Sequence, residues 1–199
     1  MSARFQTCLG FTLGEEIGPF ADTGGYVSAA QAARNGDSGG ETWSGVARNS
    51  NPAWPGWLII DRLRQSPGFP RNLPADAELA QPRADLYRVK YWDRFQCGEM
   101  PPGLDHALFD AAVQHLPDKA VMIFQRAVGA APDGNIGPAT IRAAWNVGHD
   151  LALHRYFVVR MAYYTDILIT NPATRPNRDG WISRLFNLHK FILTGAAHA

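Results

Sequence analysis

The sequence has few cysteines for its length. Cys8 and Cys97 are the two in 199 residues, and they form no Cys-x-x-Cys or Cys/His spacing. This excludes a disulfide-rich scaffold and gives no support to a structural zinc site. The spacing is compatible with one long-range disulfide or with two buried thiols, and we favour the thiols.

The chain also lacks an excess of charge of one sign. Lys and Arg number 19 and Asp and Glu number 18, for a formal net charge of +1. A protein that binds phosphate backbones is usually strongly basic. We therefore expect no nucleic acid partner.

Long hydrophobic runs are missing as well. No window approaches the ~18 consecutive apolar residues of a membrane span. The N-terminal residues 1–16 have neither a clean apolar core nor a small-residue cleavage site, so no standard secretory signal is readable. The sequence thus predicts no membrane span.

What is present is the composition of a folded globular protein, with 46% hydrophobic and 19% charged residues. Six Trp, six Tyr and ten Phe are available. Some of the Trp lie in Gly- and Pro-rich segments, where an indole often lines a groove for a flat or ring-shaped ligand. Carbohydrate is therefore among the ligands to consider.

The patterning changes along the chain. Apolar residues recur at helical spacing over 4–16, turns and short hairpins are indicated over 17–56, and the proline-rich segment 66–76 is typical of a connector. Helices are then predicted from Pro82 in a first turn to about Trp92, over 104–112, over 120–128, from Pro138 to Trp145, from an N-cap at Asp150 to about Thr170, and from Gly180 to about Leu193. This predicts a mainly helical α+β fold with an N-terminal helix and small β-rich lobe, residues 1–97, followed by a helical lobe, residues 98–199, packed as one structural unit.

Glu16 lies on the wrong face of the first helix for a charged residue. Positions seven apart on a helix differ by about 20°, so Glu16 falls on the same stripe as Leu9, whereas Glu15 lies off it. A carboxyl group on an apolar face can keep its proton near neutral pH and act as a general acid. The alternative is a frayed helix end at which Glu16 meets solvent or an arginine.

A glycine-rich motif follows at GDSGGETWSGV, residues 36–46. Glycines let the backbone approach a ligand, and Asp37 with Thr42 could hold one water between them. The structural alternative, which the motif alone favours, is a turn in which Asp37 accepts a hydrogen bond from its own backbone.

These residues carry a resemblance to glycoside hydrolase family 108, the peptidoglycan-cleaving lysozymes of bacteria and phages. The resembling segments are Phe5-x3-Leu9-x-Phe11-x-Leu13-x2-Glu16, residues 36–46, NPAWPGW at 51–57 and LYRVKYWDRF at 86–95. Residues 107–141 resemble the associated type 3 peptidoglycan-binding region, and Arg160-x2-Tyr163-Tyr164 with Gly180-Trp181-x2-Arg184 match its closing motif. The resemblance implies a lysozyme-like fold and peptidoglycan as the partner.

The resemblance also implies site residues. The family carries its catalytic Glu before Gly-Gly-Tyr, and the helix pattern assigns that role to Glu16, although Ile17 follows it. A literal Gly-Gly-Tyr at 24–26 follows Thr23, which is no acid, and we interpret that copy as chance or part of an enlarged loop. Asp37 with Thr42 would hold the water or stabilise charge on the sugar. A second departure is Gln114-His115-Leu116, where the family has Asn, any residue and Gly.

Aromatic side chains near this lobe are candidate sugar platforms, with core packing an equal alternative for each; they are Tyr26, Trp43, Trp54 and Trp57. The histidines show no paired metal spacing, and we expect neither a metal nor a cofactor. The loop Asp133–Thr140 has too few acidic ligands for calcium, and we interpret it as a structural turn.

The predicted activity is hydrolysis between N-acetylmuramic acid and N-acetylglucosamine, with Glu16 as general acid. Two alternatives stay open: a lytic transglycosylase, which releases 1,6-anhydro products, and a non-catalytic peptidoglycan-binding protein. We expect a monomer that acts in the periplasm or cell wall and that leaves the cytoplasm by a holin-type lesion or a secretion apparatus.

Overall fold

The computed structural model describes residues 2–195. Their contacts divide into two compact units. The hairpin unit is Leu9–Val89, and the helical unit comprises the residues up to Cys8 together with those from Lys90 onward. These limits differ from lobes 1–97 and 98–199, a domain division that stays a prediction.

The hairpin unit combines short helices with one small sheet. It takes most of α1 (Ala3–Ile17) and contains α2 (Ala29–Arg34), β1 (Thr42–Trp43), β2 (Val46–Ala47), α3 (Gly56–Leu63) and α4 (Ala77–Tyr87). A 3-10 segment, Gly18–Thr23, follows α1. As predicted, the sheet is a short hairpin in a glycine-rich stretch, but α2, within the segment predicted as turns and hairpins, and α3 are helices that the sequence patterns did not predict.

The turn of the hairpin has a sequence cause. Trp43 pairs with Val46, which leaves Ser44 and Gly45 as a two-residue loop. Both have positive φ, 49° and 76° respectively. Positive φ at both positions is the type I′ geometry that matches the twist of the strands, and glycine adopts it without a steric cost.

The helical unit contains the longer helices. They are α5 (Leu104–Gln114), α6 (Pro117–Val128), α7 (Pro138–Asn146), α8 (His149–Thr170) and α9 (Arg178–Leu193). A π-helical segment, Arg88–Asp93, spans the start of this unit, and short 3-10 segments lie at Cys97–Glu99 and Pro172–Asn177. The prediction of a mainly helical α+β fold is confirmed.

Buried charge organises the core of the helical unit. Asp110, on α5, is completely buried and contacts Arg160 at 2.7 Å and Arg184 at 2.8 Å. Burial opposes ionisation, but the two guanidinium groups hold the pKa of Asp110 well below its ordinary value. The residues of the closing motif therefore neutralise a core carboxylate.

Three helix starts differ from prediction. Helix α4 begins at Ala77 with Asp76 as its N-cap, so Pro82 is an interior residue. Helix α8 begins at His149, which puts Asp150 in the first turn instead of at the cap, and Gly180 lies inside α9. The starts of α8 and α9 differ by less than one turn, whereas Pro82 is the sixth residue of α4.

Two smaller predictions are confirmed. Cys8 and Cys97 are buried free thiols. The loop after α6 is a structural turn, since Gln125 donates to Asp133 at 2.7 Å and accepts from the Gly134 N–H at 3.0 Å. Within residues 2–195, no helix is both long enough and apolar enough to cross a bilayer.

Candidate active site

The first helix delivers Glu16 to the turn of the hairpin. The predicted stripe is buried, with Leu9 4% and Leu13 7% exposed, and Glu16 follows it half-buried at the helix end. Its Oε2 atom lies 3.7 Å from the position that a Cβ atom would take on Gly45. The carboxyl group therefore approaches bare backbone at the tip of the hairpin.

Tyr87, at the end of α4, supports that tip. Its hydroxyl donates a buried hydrogen bond of 3.0 Å to the carbonyl of Ser44. A Cβ atom on Gly45 would overlap the same hydroxyl oxygen. Glycine at position 45 thus allows the tyrosine hydroxyl and the Glu16 carboxyl to meet at one turn.

The sequence motif at 86–95 contains Tyr87, but the pattern predicts no role for this residue. Nor does it predict a role for Arg83. The Arg83 side chain donates to the Ser44 hydroxyl at 3.3 Å and lies over the Trp43 ring, 5.2 Å from its centroid. The spacing of Arg83 and Tyr87, four residues apart on one helix, places both on the same face. That spacing was the available signal.

The Gly24-Gly25-Tyr26 segment runs beside the hairpin. Val27 and Thr42 exchange backbone hydrogen bonds of 2.8 and 2.9 Å, and the Ser44 N–H donates to the Gly24 carbonyl at 3.0 Å. Gly24 has φ of 63°, and a Cβ atom there would lie 2.8 Å from Trp43 Nε1. Both the conformation and the space require glycine, so this segment is part of the wall around the turn.

Asp37 and Thr42 are each engaged within their own loop. Asp37 is exposed, and its Oδ1 accepts from the Gly39 N–H at 2.8 Å, as the turn alternative requires. The Thr42 hydroxyl donates to the Gly40 carbonyl at 3.1 Å. Thr42 lies in β1, next to the turn that Glu16 approaches, while Asp37 lines a separate, charged cleft.

That charged cleft has a volume of about 410 Å³. Its floor is the buried carboxylate of Glu41, which pairs with Arg48 at 2.7 Å and also with Arg64. Tyr26 joins the network, since its hydroxyl donates to Glu41 at 2.7 Å and accepts from Arg64 at 3.1 Å. Burial, followed by the hydrogen bond to Glu41, raises the pKa of Tyr26. The charges of this network are largely satisfied by one another.

Trp43 and Trp57 lie in the core of the hairpin unit. Trp43 is 1% exposed and stacks on Trp54, with ring centroids 6.1 Å apart. Trp57 is 3% exposed, donates its indole N–H to the Asn51 carbonyl at 2.8 Å and carries the Arg48 guanidinium over its ring. In this conformation both rings pack against protein, which is the alternative that the sequence left open.

Metal ligands do not cluster in the part of the chain that the structure describes. Residues 2–195 contain no group of three or more His, Cys, Asp or Glu side chains placed to hold a metal ion.

The chain matches two family models in tandem. Residues 21–115 match the model described as Glycosyl hydrolase 108, which contains the hairpin, Asp37, Thr42 and Tyr87. Over those residues the chain is similar to this family. Residues 119–186 match a second model, described as Predicted Peptidoglycan domain.

A solved structure agrees with the family. The chain superimposes on the structure of Brucella abortus SagA with a TM-score of 0.62 and 27% sequence identity, over 91% of this chain and 94% of that one. No curated protein matches the chain significantly. The two family models indicate a peptidoglycan-hydrolysing activity of the lysozyme type, with the cell wall or periplasm as the site of action.

The first residue of the glycosyl hydrolase match affects the choice of the catalytic acid. The matched segment begins at Ala21, so it contains Thr23-Gly24-Gly25-Tyr26 and leaves out Glu16. Thr23, which precedes the Gly-Gly-Tyr, donates its hydroxyl to the Phe20 carbonyl at 3.2 Å and supplies no carboxyl group.

Proposed function

We propose that the protein is an N-acetylmuramidase, cleaving between N-acetylmuramic acid and N-acetylglucosamine, with Glu16 as its general acid. Breaking a glycosidic bond requires a proton for the departing oxygen and a nucleophile or activated water at the anomeric carbon. Glu16 supplies the proton, and the β-hairpin supplies the wall against which the sugar lies.

One observation carries this proposal: the approach of Glu16 Oε2 to Gly45 at the hairpin tip. The residue before Gly-Gly-Tyr, where the resemblance implies the acid, is a threonine. Glu16 comes from the helix just before that segment and brings a carboxyl group to the same hairpin. Its half-buried position keeps the carboxyl accessible to a substrate while limiting its hydration.

Asp37 and Thr42 complete the proposal as the groups that orient water or stabilise positive charge at the sugar. Two observations support these roles: Thr42 lies within the hairpin, and the Asp37 side chain is exposed. Asp37 has a second carboxylate oxygen besides the one that accepts from Gly39, so turn formation and a role toward water are compatible. Tyr26, which is half-buried, would contact the substrate through the edge of its aromatic ring.

The test of Glu16 is the clearing of purified cell walls. Glu16→Gln should abolish clearing, because an amide cannot donate the proton, while leaving the melting temperature unchanged. Glu15→Gln is the matched control, since Glu15 is the adjacent, equally half-buried acid on the same helix. Clearing by Glu16→Gln at the wild-type rate would overturn the assignment.

Product analysis by mass spectrometry then defines the bond and the reaction. After borohydride reduction, a muramidase leaves reduced muramic acid at the new chain ends. Reduced glucosamine ends would contradict the proposed specificity, and 1,6-anhydro ends would replace hydrolysis with transglycosylation.

Asp37 is tested by two substitutions. Asp37→Asn retains an acceptor for the Gly39 N–H and should preserve the melting temperature, but it removes the charge and should slow clearing. Asp37→Ala removes the acceptor as well. If Asp37→Asn clears walls as fast as wild type and Asp37→Ala lowers the melting temperature, the residue is a turn former alone.

A further inference from the structure

A second groove lies in the helical unit, just after the π-helical segment. Its volume is about 350 Å³, within the range of small-ligand pockets. Its lining combines aromatic, apolar and polar side chains from three segments: Trp92, Asp93, Gln96, Gly98, Glu99 and Ile141. Interruptions of regular helix by π geometry are frequent at functional sites.

Trp92 is held rigidly at this groove. Its ring packs edge-on against Phe5 and Phe109, with centroids 5.4 and 5.6 Å away. The nitrogen edge of the indole faces Gly98, where a Cβ atom would lie 3.4 Å from Nε1. The groove therefore presents a fixed donor.

Trp145 adds an exposed aromatic ring at the rim. It lies one turn after Ile141 on α7, so the two side chains share a face. Trp145 is 58% exposed, yet its indole N–H donates to the Glu99 carbonyl at 2.9 Å. The hydrogen bond fixes the ring and leaves its face to solvent, where a sugar ring could stack on it.

The polar side chains of the groove are mainly hydrogen-bond acceptors. Asp93 and Glu99 contribute carboxylates, and Gln96 contributes an amide whose nitrogen donates to the Ile136 carbonyl at 3.2 Å. Of the described residues that line the groove, none is basic. Carboxylates suit sugar hydroxyls, which donate, and they disfavour the anionic stem peptides of peptidoglycan.

We propose that this groove binds an N-acetylated amino sugar of the glycan strand, at a place separate from the bond that is cut. A sugar carbon face covers the Trp145 ring, its hydroxyls donate to Glu99 and Asp93, and its acetamide carbonyl accepts from Trp92. This inference rests on peptidoglycan as the substrate and is independent of Glu16 as the acid.

The site can be observed directly by fluorine NMR. The protein contains six Trp, and labelling with 5-fluorotryptophan gives each ring a resonance that single Trp→Phe substitutions assign. Titration with a chitin tetrasaccharide, a neutral N-acetylglucosamine oligomer, should shift the Trp145 and Trp92 resonances. If both stay unmoved at saturating oligomer, or move instead with a free stem peptide, the proposal is overturned.

A second experiment measures binding to intact cell walls. Trp145→Ala should weaken cosedimentation with peptidoglycan about 2- to 10-fold, the range expected for loss of one aromatic contact. Phe186→Ala is the matched control, because Phe186 is also a large exposed aromatic, 61% exposed, on another face of the unit. Equal binding by the two variants would contradict the proposal. If Glu16→Gln still clears cell walls, Glu16 is not the general acid. That outcome would not change the conclusion about sugar binding at Trp145.

Discussion

Glu16 and Gly45 meet at the tip of the β-hairpin, where Glu16 Oε2 lies 3.7 Å from the site of an absent Cβ atom. The two residues come from different elements, a long helix and a type I′ turn. If Glu16 is the general acid that we propose, a side chain at position 45 would occupy space beside its carboxyl group that a substrate needs. The absence of a side chain on Gly45 therefore allows Tyr87 and Glu16 to approach the hairpin tip.

Gly45→Ala should therefore damage both activity and stability. The new Cβ atom overlaps the Tyr87 hydroxyl, and φ of 76° is unfavourable for alanine. Backbone strain of about 1 kcal/mol plus overpacking of about 1–3 kcal/mol should lower the melting temperature by roughly 5–15 °C. Thermal unfolding and wall clearing measure the two effects.

Gly36→Ala is the matched control for that substitution. Gly36 has a similar φ of 69°, is also exposed, and has no atom within 4 Å of its Cβ position. It should show the strain of about 1 kcal/mol and keep its activity. Equal losses in the two variants would mean that the contact with Tyr87 has no energetic role.

Tyr87→Phe should destabilise the hairpin tip. It leaves the buried Ser44 carbonyl without its donor, at a cost of about 1–3 kcal/mol. It also removes the oxygen that Gly45→Ala would overlap, since the ring carbon beneath it lies at an ordinary 3.7 Å from the added Cβ atom. In urea unfolding, the double variant should be more stable than the sum of the single losses predicts, whereas strict additivity would contradict the contact.

Stability should fall as the pH is lowered below about 6.5. Burial lowers the pKa of His106 from 6.5 to about 4 and, together with nearby Arg160, that of His115 to about 3. In this window the unfolded chain takes up protons that the native state does not, so the free energy of unfolding decreases. At about pH 5 each histidine should cost about 2 kcal/mol relative to pH 7.5.

Urea unfolding across that range measures the slope. His115→Gln removes one of the two groups and should reduce the loss between about pH 7.5 and 5 by roughly half. A free energy of unfolding that is flat over this interval in the wild type would show that neither histidine is held neutral by the fold.

The two thiols should be inert in the native protein. Burial raises the pKa of Cys8 and Cys97 well above the ordinary value, so almost no thiolate is present near neutral pH. Ellman's reagent should react with neither until denaturant is added and then with both. Failure to find two thiols in denaturant without reductant would indicate a disulfide.

Much of this architecture could be predicted from local patterns. The stripe of Phe5, Leu9 and Leu13 predicts α1 and singles out Glu16, because helical periodicity is set by the backbone itself. The glycines around Trp43 likewise predict the hairpin. The π-helical segment and α3 could not be predicted, since their conformation depends on packing between distant residues.

The sequence by itself determined the hairpin, the order of the longer helices, the helical face that carries Glu16 and the peptidoglycan-related motifs, because these depend on residue spacing and identity. The tertiary structure alone decided which residues meet: Tyr87 with the Ser44 carbonyl, Glu16 with Gly45, and Trp145 with the Glu99 carbonyl. It also assigned Trp43 and Trp57 to the core. Contacts between residues far apart in the chain depend on how elements pack, and periodicity within one element carries no information about its partner.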